Sequence, residues 1–169
     1  MSAGRVFVAR LNGCSVFDPL GDKIGRARDV IVVNRSTQAP RVVGLVIEVP
    51  GKRRVFLSIG RVTSIGSGQI ITSGQMNIRR FEQRNSETRV ISELLGRRMR
   101  FTDGSGFATI EDVAIEETGP GDWQVGELFL RKPRTGGSPF SRGPTVFAQW
   151  MDVTDSTVVG EAQSAIQLL

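Results

Sequence analysis

The chain states one pattern twice. Gly13, Val16, Gly21, Ile24, Gly25, Asp29 and Val30 are answered, without a gap, by Gly96, Met99, Gly104, Phe107, Ala108, Asp112 and Val113, each 83 positions later. Further on, Val43-Gly44 answers to Val125-Gly126, Val55-Phe56 to Val146-Phe147, and Val62-Thr63 to Val153-Thr154. A repeat at a fixed period constrains architecture more than any local motif, because each copy must be one supersecondary unit. The 169 residues leave about 80 for each unit, a size that buries little more than ~60% of its unfolded surface. Such units are marginal alone, so the two are expected to pack on one another.

Local patterning makes each unit β-rich. Residues 5–11 alternate like a strand, and Cys14 to Phe17 form another. Asp18-Pro19-Leu20-Gly21-Asp22 is a turn, with Pro presetting φ and Gly supplying the positive φ that hairpin connections require. From Lys23 to Val33, strict alternation puts Ile24, Arg26, Arg28, Val30 and Val32 on one face and Gly25, Ala27, Asp29, Ile31 and Val33 on the other, with a bend or bulge at Gly25. Residues 41–49 and 53–59 pair across Pro50-Gly51-Lys52, and Ile70-Ile71-Thr72 adds a further strand. The second copy repeats the plan near residues 98–101, 107–116, 123–131 and 145–150, with a longer hairpin loop from Lys132 to Pro144. Short strands at regular spacing read as a small closed or nearly closed barrel. Val90 to Leu95 fits one helical turn, and Gly160 onward favours helix with no stop signal. The expected organisation is therefore all-β: a first barrel and linker over 1–84, a second barrel over 85–158, and the start of a C-terminal helix over 159–169.

Charge is divided unevenly. Residues 1–84 hold 14 basic and 5 acidic side chains, a net +9, whereas residues 85–169 hold 8 and 12, a net −4. Such a split points to an anionic partner for the first half, or to attraction between the halves. Lys52-Arg53-Arg54, Arg79-Arg80, Arg84 and Arg97-Arg98 are the candidate partner-binding residues, able to grip an acidic protein, an anionic membrane surface or RNA phosphates. The chain has no Tyr, and its other aromatics sit in apolar strands, so base-stacking platforms are scarce and RNA ranks last.

Catalytic constellations are missing. There is no His, so acid–base work near neutral pH would need perturbed carboxylates or lysines. Ser138, Ser141 and Ser156 have no base to activate them. Cys14 is the single cysteine, which rules out an internal disulfide and a Cys-based zinc site, and it reads as a small packed residue rather than a reactive thiol. Asp29 and Asp112 recur at equivalent positions and read as backbone-bonding residues that fix a turn. Glu111-Asp112 and Glu116-Glu117 do not converge, since neighbours on a strand point to opposite faces. The expected cofactor, metal and catalytic sets are empty.

Residues 16–30, Val-Phe-Asp-Pro-Leu-Gly-Asp-Lys-Ile-Gly-Arg-Ala-Arg-Asp-Val, resemble the opening of a PRC-barrel, the small barrel of the photosynthetic reaction centre H subunit and of RimM. Val42 to Ile47 and Arg54 to Leu57 resemble that family's third and fourth strands. The second copy departs from the pattern: Phe101-Thr102-Asp103 lacks the Asp-Pro turn, and Ala108 replaces a Gly. Two such barrels followed by Ile78-Arg79-Arg80-Phe81-Glu82 resemble the N-terminal region of actinobacterial MgtE-like magnesium transporters. The resemblance implies a non-catalytic, cytoplasmic adaptor at the inner face of the membrane. It would dock on an acidic domain in the C-terminal part of the same polypeptide, with self-association as a further option. The alternative it implies is a RimM-like ribosome maturation factor that binds a ribosomal protein.

Overall fold

The computed structural model describes residues 4–66, 68–73, 79–137 and 141–155. The first half runs β1 (Arg5–Phe7), a 3-10 turn (Val8–Arg10), β2 (Ser15–Phe17), β3 (Lys23–Val33), β4 (Arg41–Val49) and β5 (Arg53–Ser58). A 3-10 turn (Ile59–Arg61), β6 (Val62–Gly66), β7 (Gln69–Thr72) and β8 (Arg79–Arg80) complete it. The second half runs β9 (Glu87–Arg89), a single wide turn (Val90–Leu94), β10 (Arg98–Phe101), β11 (Phe107–Gly119) and β12 (Asp122–Arg131). It ends with β13 (Thr145–Gln149), a 3-10 turn (Trp150–Asp152) and β14 (Val153–Asp155). The chain is thus predominantly β, as the patterning implies. The helix expected after Gly160 lies outside the described residues. No helix among them is long and apolar enough to cross a membrane.

The strands do not form two closed rings. They hydrogen-bond along one open path, β14-β10-β11-β12-β4-β3-β2-β7-β6, with β1, β5, β8, β9 and β13 attached to it. The halves join where β4 meets β12, through the single antiparallel pair Arg41 and Gln124. Those two positions are themselves 83 apart. The joint therefore sets a residue against its own repeat mate, as an isologous two-fold contact does between subunits.

The repeat is honoured in detail on both sides of this joint. Ser15 pairs with Arg26 and Arg98 with Thr109; Asp29 faces Val46 and Asp112 faces Phe129. Both long strands slip register at the same place, between Ala27 and Asp29 and between Ile110 and Asp112. That bulge corrects the expected alternation. Ala27 and then Val30 and Val32 face the core, because one extra residue inverts the parity of everything beyond it. Register also corrects one echo: Val42, paired with Val32, corresponds to Val125, paired with Ile115, so the Val43-Gly44 match is one residue out.

Residues 5–11 are not one strand. After Phe7 the chain turns, and β1 pairs with β11 of the other copy. Reciprocally, β9 pairs with β3 of the first. Each copy thus lends its leading strand and helical turn to its neighbour. The carboxylates that the repeat singles out fasten these arms. Asp112 Oδ1 accepts the N–H of Ala9 (3.1 Å) and of Val113 (2.9 Å). Asp29 Oδ1 accepts the N–H of Ile91 (2.7 Å) and of Val30 (2.8 Å). Its Oδ2 accepts the N–H of Ser92 (3.0 Å) and that residue's hydroxyl (2.6 Å). Each acid thus caps a helical turn from the far side of the joint, where backbone N–H groups have no partner of their own.

The arms close one core. A single apolar cluster runs from Val8, Leu11 and Val16 through Val30, Leu45 and Leu57 to Val90, Met99, Val113, Leu128 and Val153. The expectation that the two units pack together is met in a stronger form, since the main core is shared between them. Asp29 is 2% exposed and holds donors that nothing else satisfies. Asp29→Ala should cost roughly 3–4 kcal/mol of folding stability, and Asp112→Ala, with two bonds to lose and no serine beside it, about 1–2. Urea unfolding of the two variants checks this; equal losses would show that the caps do not carry the joint.

Candidate functional site

The β4–β5 hairpin and β8 enclose a groove of about 830 Å³ lined by Ile24, Val49, Val55, Lys52, Arg53, Arg54, Arg80 and Phe81. Each wall has a local cause. Gly51 (φ +86) and Lys52 (φ 59) both take the left-handed region, which folds the hairpin tightly and lifts Lys52 to the tip. Lys52 is the one non-glycine with positive φ among the described residues, a conformation costing about 1 kcal/mol that tends to persist where a site uses it. At the other end, a Cβ on Gly25 would strike the Glu48 carbonyl. Glycine there lets β3 and β4 approach closely beneath the groove while Ile24 forms part of its floor.

β8 forms the remaining wall. Arg80 pairs with Val55 and Arg79 with Phe56, and the Phe81 N–H donates to the Arg54 carbonyl at 3.0 Å. The Arg79 guanidinium lies 4.4 Å over the Phe56 ring, a cation–π contact on the opposite side of β5 from Val55. Glu48 is the acid nearest the rim. It is shared between Arg28 (3.4 Å) and Arg54 (3.7 Å), which leaves Lys52, Arg53 and Arg80 with no ion pair among the described residues. The site is therefore an apolar floor rimmed by cations that have no ion pair among the described residues.

The seven candidate arginines fall in different places. Arg53, Arg54 and Arg80 line the groove, and Arg79 stacks beside it. Arg84 is exposed, with its backbone N–H held by Glu87 at 2.9 Å. Arg97 bonds Asp155 at 2.6 Å and so ties β10 to β14 rather than to a partner. Arg98 stacks on Phe107 at 4.1 Å and lines a second groove of about 460 Å³ with Arg131, Lys132, Arg134 and Arg142. That groove is the repeat mate of the first: Phe107 and Lys132 stand where the first copy has Ile24 and Val49. Beside it, Glu111 and Arg131 pair at 2.7 Å in the positions of Arg28 and Glu48, with the charges exchanged. Lys132 and Arg142 of this groove were not among the candidates, although the offset of 83 places Lys132 on Val49.

Three of the four acids of the β11 strip engage protein groups. Glu111 holds Arg131, Asp112 caps Ala9, and Glu116 accepts from the Gln124 amide at 3.2 Å. Cys14 Sγ donates to the Arg10 carbonyl at 2.9 Å, and burial raises its thiol pKa. Less thiolate then exists at pH 8 than for a free cysteine, so the thiol should react with a disulfide reagent more slowly than a model peptide. Equal rates would contradict the packing of this residue.

Residues 88–159 match the model of a family described as the Actinomycetes SH3 domain, which is less than half of the chain. No curated protein matches the sequence. The match overturns the PRC-barrel resemblance and, with it, the link to MgtE-like transporters and magnesium transport, for which no family model matches. The physical reason lies in what carried the resemblance. The turn residues, Gly25 and Asp29 meet backbone requirements (a hairpin, a close strand approach and a capped turn) that any small β unit with this connectivity would impose. Such residues report geometry rather than kinship.

Proposed function

We infer that this chain is a non-catalytic protein-docking module, made of two SH3-like units in tandem, that grips extended acidic segments of a partner. The match to residues 88–159 and the pairing registers shared by the two copies support reading the first copy as the same kind of unit. The observation that carries the functional reading is the first groove: concave, apolar at its base, and rimmed by Lys52, Arg53 and Arg80 without acidic partners. Acidic side chains would meet the rim while alternate apolar side chains reach Ile24, Val49 and Val55, the two-sided recognition that an extended peptide offers. Proline-rich ligands fit less well, since they dock on aromatic-lined grooves, and Phe81 is the only aromatic residue lining this one. A flat anionic membrane would reach the rim but not the floor.

A fluorescein-labelled decapeptide of glutamates around two central phenylalanines serves as the probe. Arg53→Glu with Arg80→Glu should weaken its binding more than tenfold at low salt and flatten the salt dependence. Glu48→Gln, which releases Arg28 and Arg54, should tighten it severalfold. Anisotropy titrations decide the matter, and unchanged affinity in the double variant would refute the assignment.

A further inference from the structure

The two copies differ in what covers the outer face of one hairpin. In the first, Phe56 is 7% exposed and packs with Ile31, Val46, Val43 and Phe81 in a small second cluster. β8 runs antiparallel along β5, and Arg79 caps the ring. Phe56 faces Val46, and Phe147 faces Phe129; Val46 and Phe129 are repeat mates, so Phe147 holds the position of Phe56. Yet Phe147 is 58% exposed. No described strand lies beside β13 other than β12. Phe129 at 5.2 Å and Phe7 at 6.4 Å extend the exposed ring into an aromatic cluster.

The edge is also undefended. Residues 145–149, Thr-Val-Phe-Ala-Gln, carry no charge and no proline, the devices by which proteins keep a free edge from pairing. We propose that β13 accepts an extended basic segment of a partner protein as an added antiparallel strand, with an arginine seated over Phe147 as Arg79 sits over Phe56. Two observations choose this occupant. The first copy displays the solution to the same surface, an Arg-Arg-Phe strand that pairs through its backbone and caps the ring with a cation. Charge agrees in sign: residues 85–169 are net acidic, with 12 acidic side chains against 8 basic, while Glu127, on β12 in register with Gln149 of β13, is itself held by Arg5 at 3.2 Å. This surface uses residues outside the first groove, and its occupant carries the opposite charge to the one proposed there.

The chain's own residues 76–84, Met-Asn-Ile-Arg-Arg-Phe-Glu-Gln-Arg, made as a labelled peptide, provide the probe for the full chain. Saturable binding is expected. Phe147→Ala, at an exposed position that leaves folding intact, should weaken it at least tenfold, whereas Phe147→Trp, which keeps a ring face for the cation, should preserve it. Arg53→Glu with Arg80→Glu should not weaken it, which separates this surface from the first groove. The proposal is overturned if the peptide does not bind, or if Phe147→Ala binds it as well as the parent. It is overturned equally if binding appears only after residues 156–169 are removed, because the chain's own end would then be the occupant.

Discussion

A buried carboxylate that accepts three hydrogen bonds from a single turn of another unit is a strong constraint on a small protein. Asp29 occupies that role for the Val90–Leu94 turn, and Asp112 has a lighter version of it for the Val8–Arg10 turn. Backbone N–H groups at the start of a turn have no intrinsic partner, and leaving them unsatisfied inside a protein costs on the order of 1–3 kcal/mol each. The acids that receive those of Ala9, Ile91 and Ser92 lie across the joint. The caps therefore do more than finish two turns. They oblige each unit to hold the other's leading strand, and this exchange merges two marginal cores into the one that runs from Val8 to Val153.

The two-fold relation between the halves follows from that exchange, and it also explains where they differ. The arms correspond at an offset of 82, Ala9 with Ile91, whereas the strands that follow correspond at 83, Gly13 with Gly96. The one-residue difference is absorbed in the turn between them: Leu11 N–H bonds to Val8 in the first copy, and Leu95 N–H bonds to Val90 in the second. The wider turn of the second copy is thus an insertion accommodated without disturbing the cap. Beyond the shared frame the copies diverge. β7 lies parallel beside β2 in the first half, whereas β14 lies antiparallel beside β10 in the second.

The fold was legible in the sequence wherever a residue answered to the backbone. Turn glycines, the Asp-Pro turn, the hairpin at Gly51 and the single turn near Val90 all follow from local chemistry. The recurrence of Asp29 and Asp112 correctly suggested backbone bonding, but not that the bonded backbone would belong to the other copy. Such exchange is invisible to periodicity, because β1 reads as a strand whichever copy it joins. The irregularity expected at Gly25 is present in the β2–β3 register, whereas the slips at Arg28 and Glu111 were not legible, because alternation through them looks unbroken until register shows them. The family assignment failed at the step from geometry to kinship. Of the candidate site, Arg53, Arg54 and Arg80 were legible as a basic cluster, whereas Arg97 looked equally free and is bound to Asp155. Formal charge does not reveal which cations are already paired.

Duplication followed by divergence leaves a physical record in the pairs that have changed while keeping their function. Arg28 with Glu48 and Glu111 with Arg131 show it most simply, since exchanging the charges preserves the attraction across the strands and erases every trace of identity between the copies. The outer faces show the opposite outcome. There the ring was kept, as Phe56 and Phe147, but its cover was not: Arg79 and Phe81 belong to the connector that only the first copy possesses among the described residues. Among the described residues no strand takes the place of β8 beside β13, so the second ring stands uncovered there. An exposed aromatic on an uncharged edge is a liability in a free protein and an asset in one that docks, so its retention in the second copy is itself an argument that the edge is used.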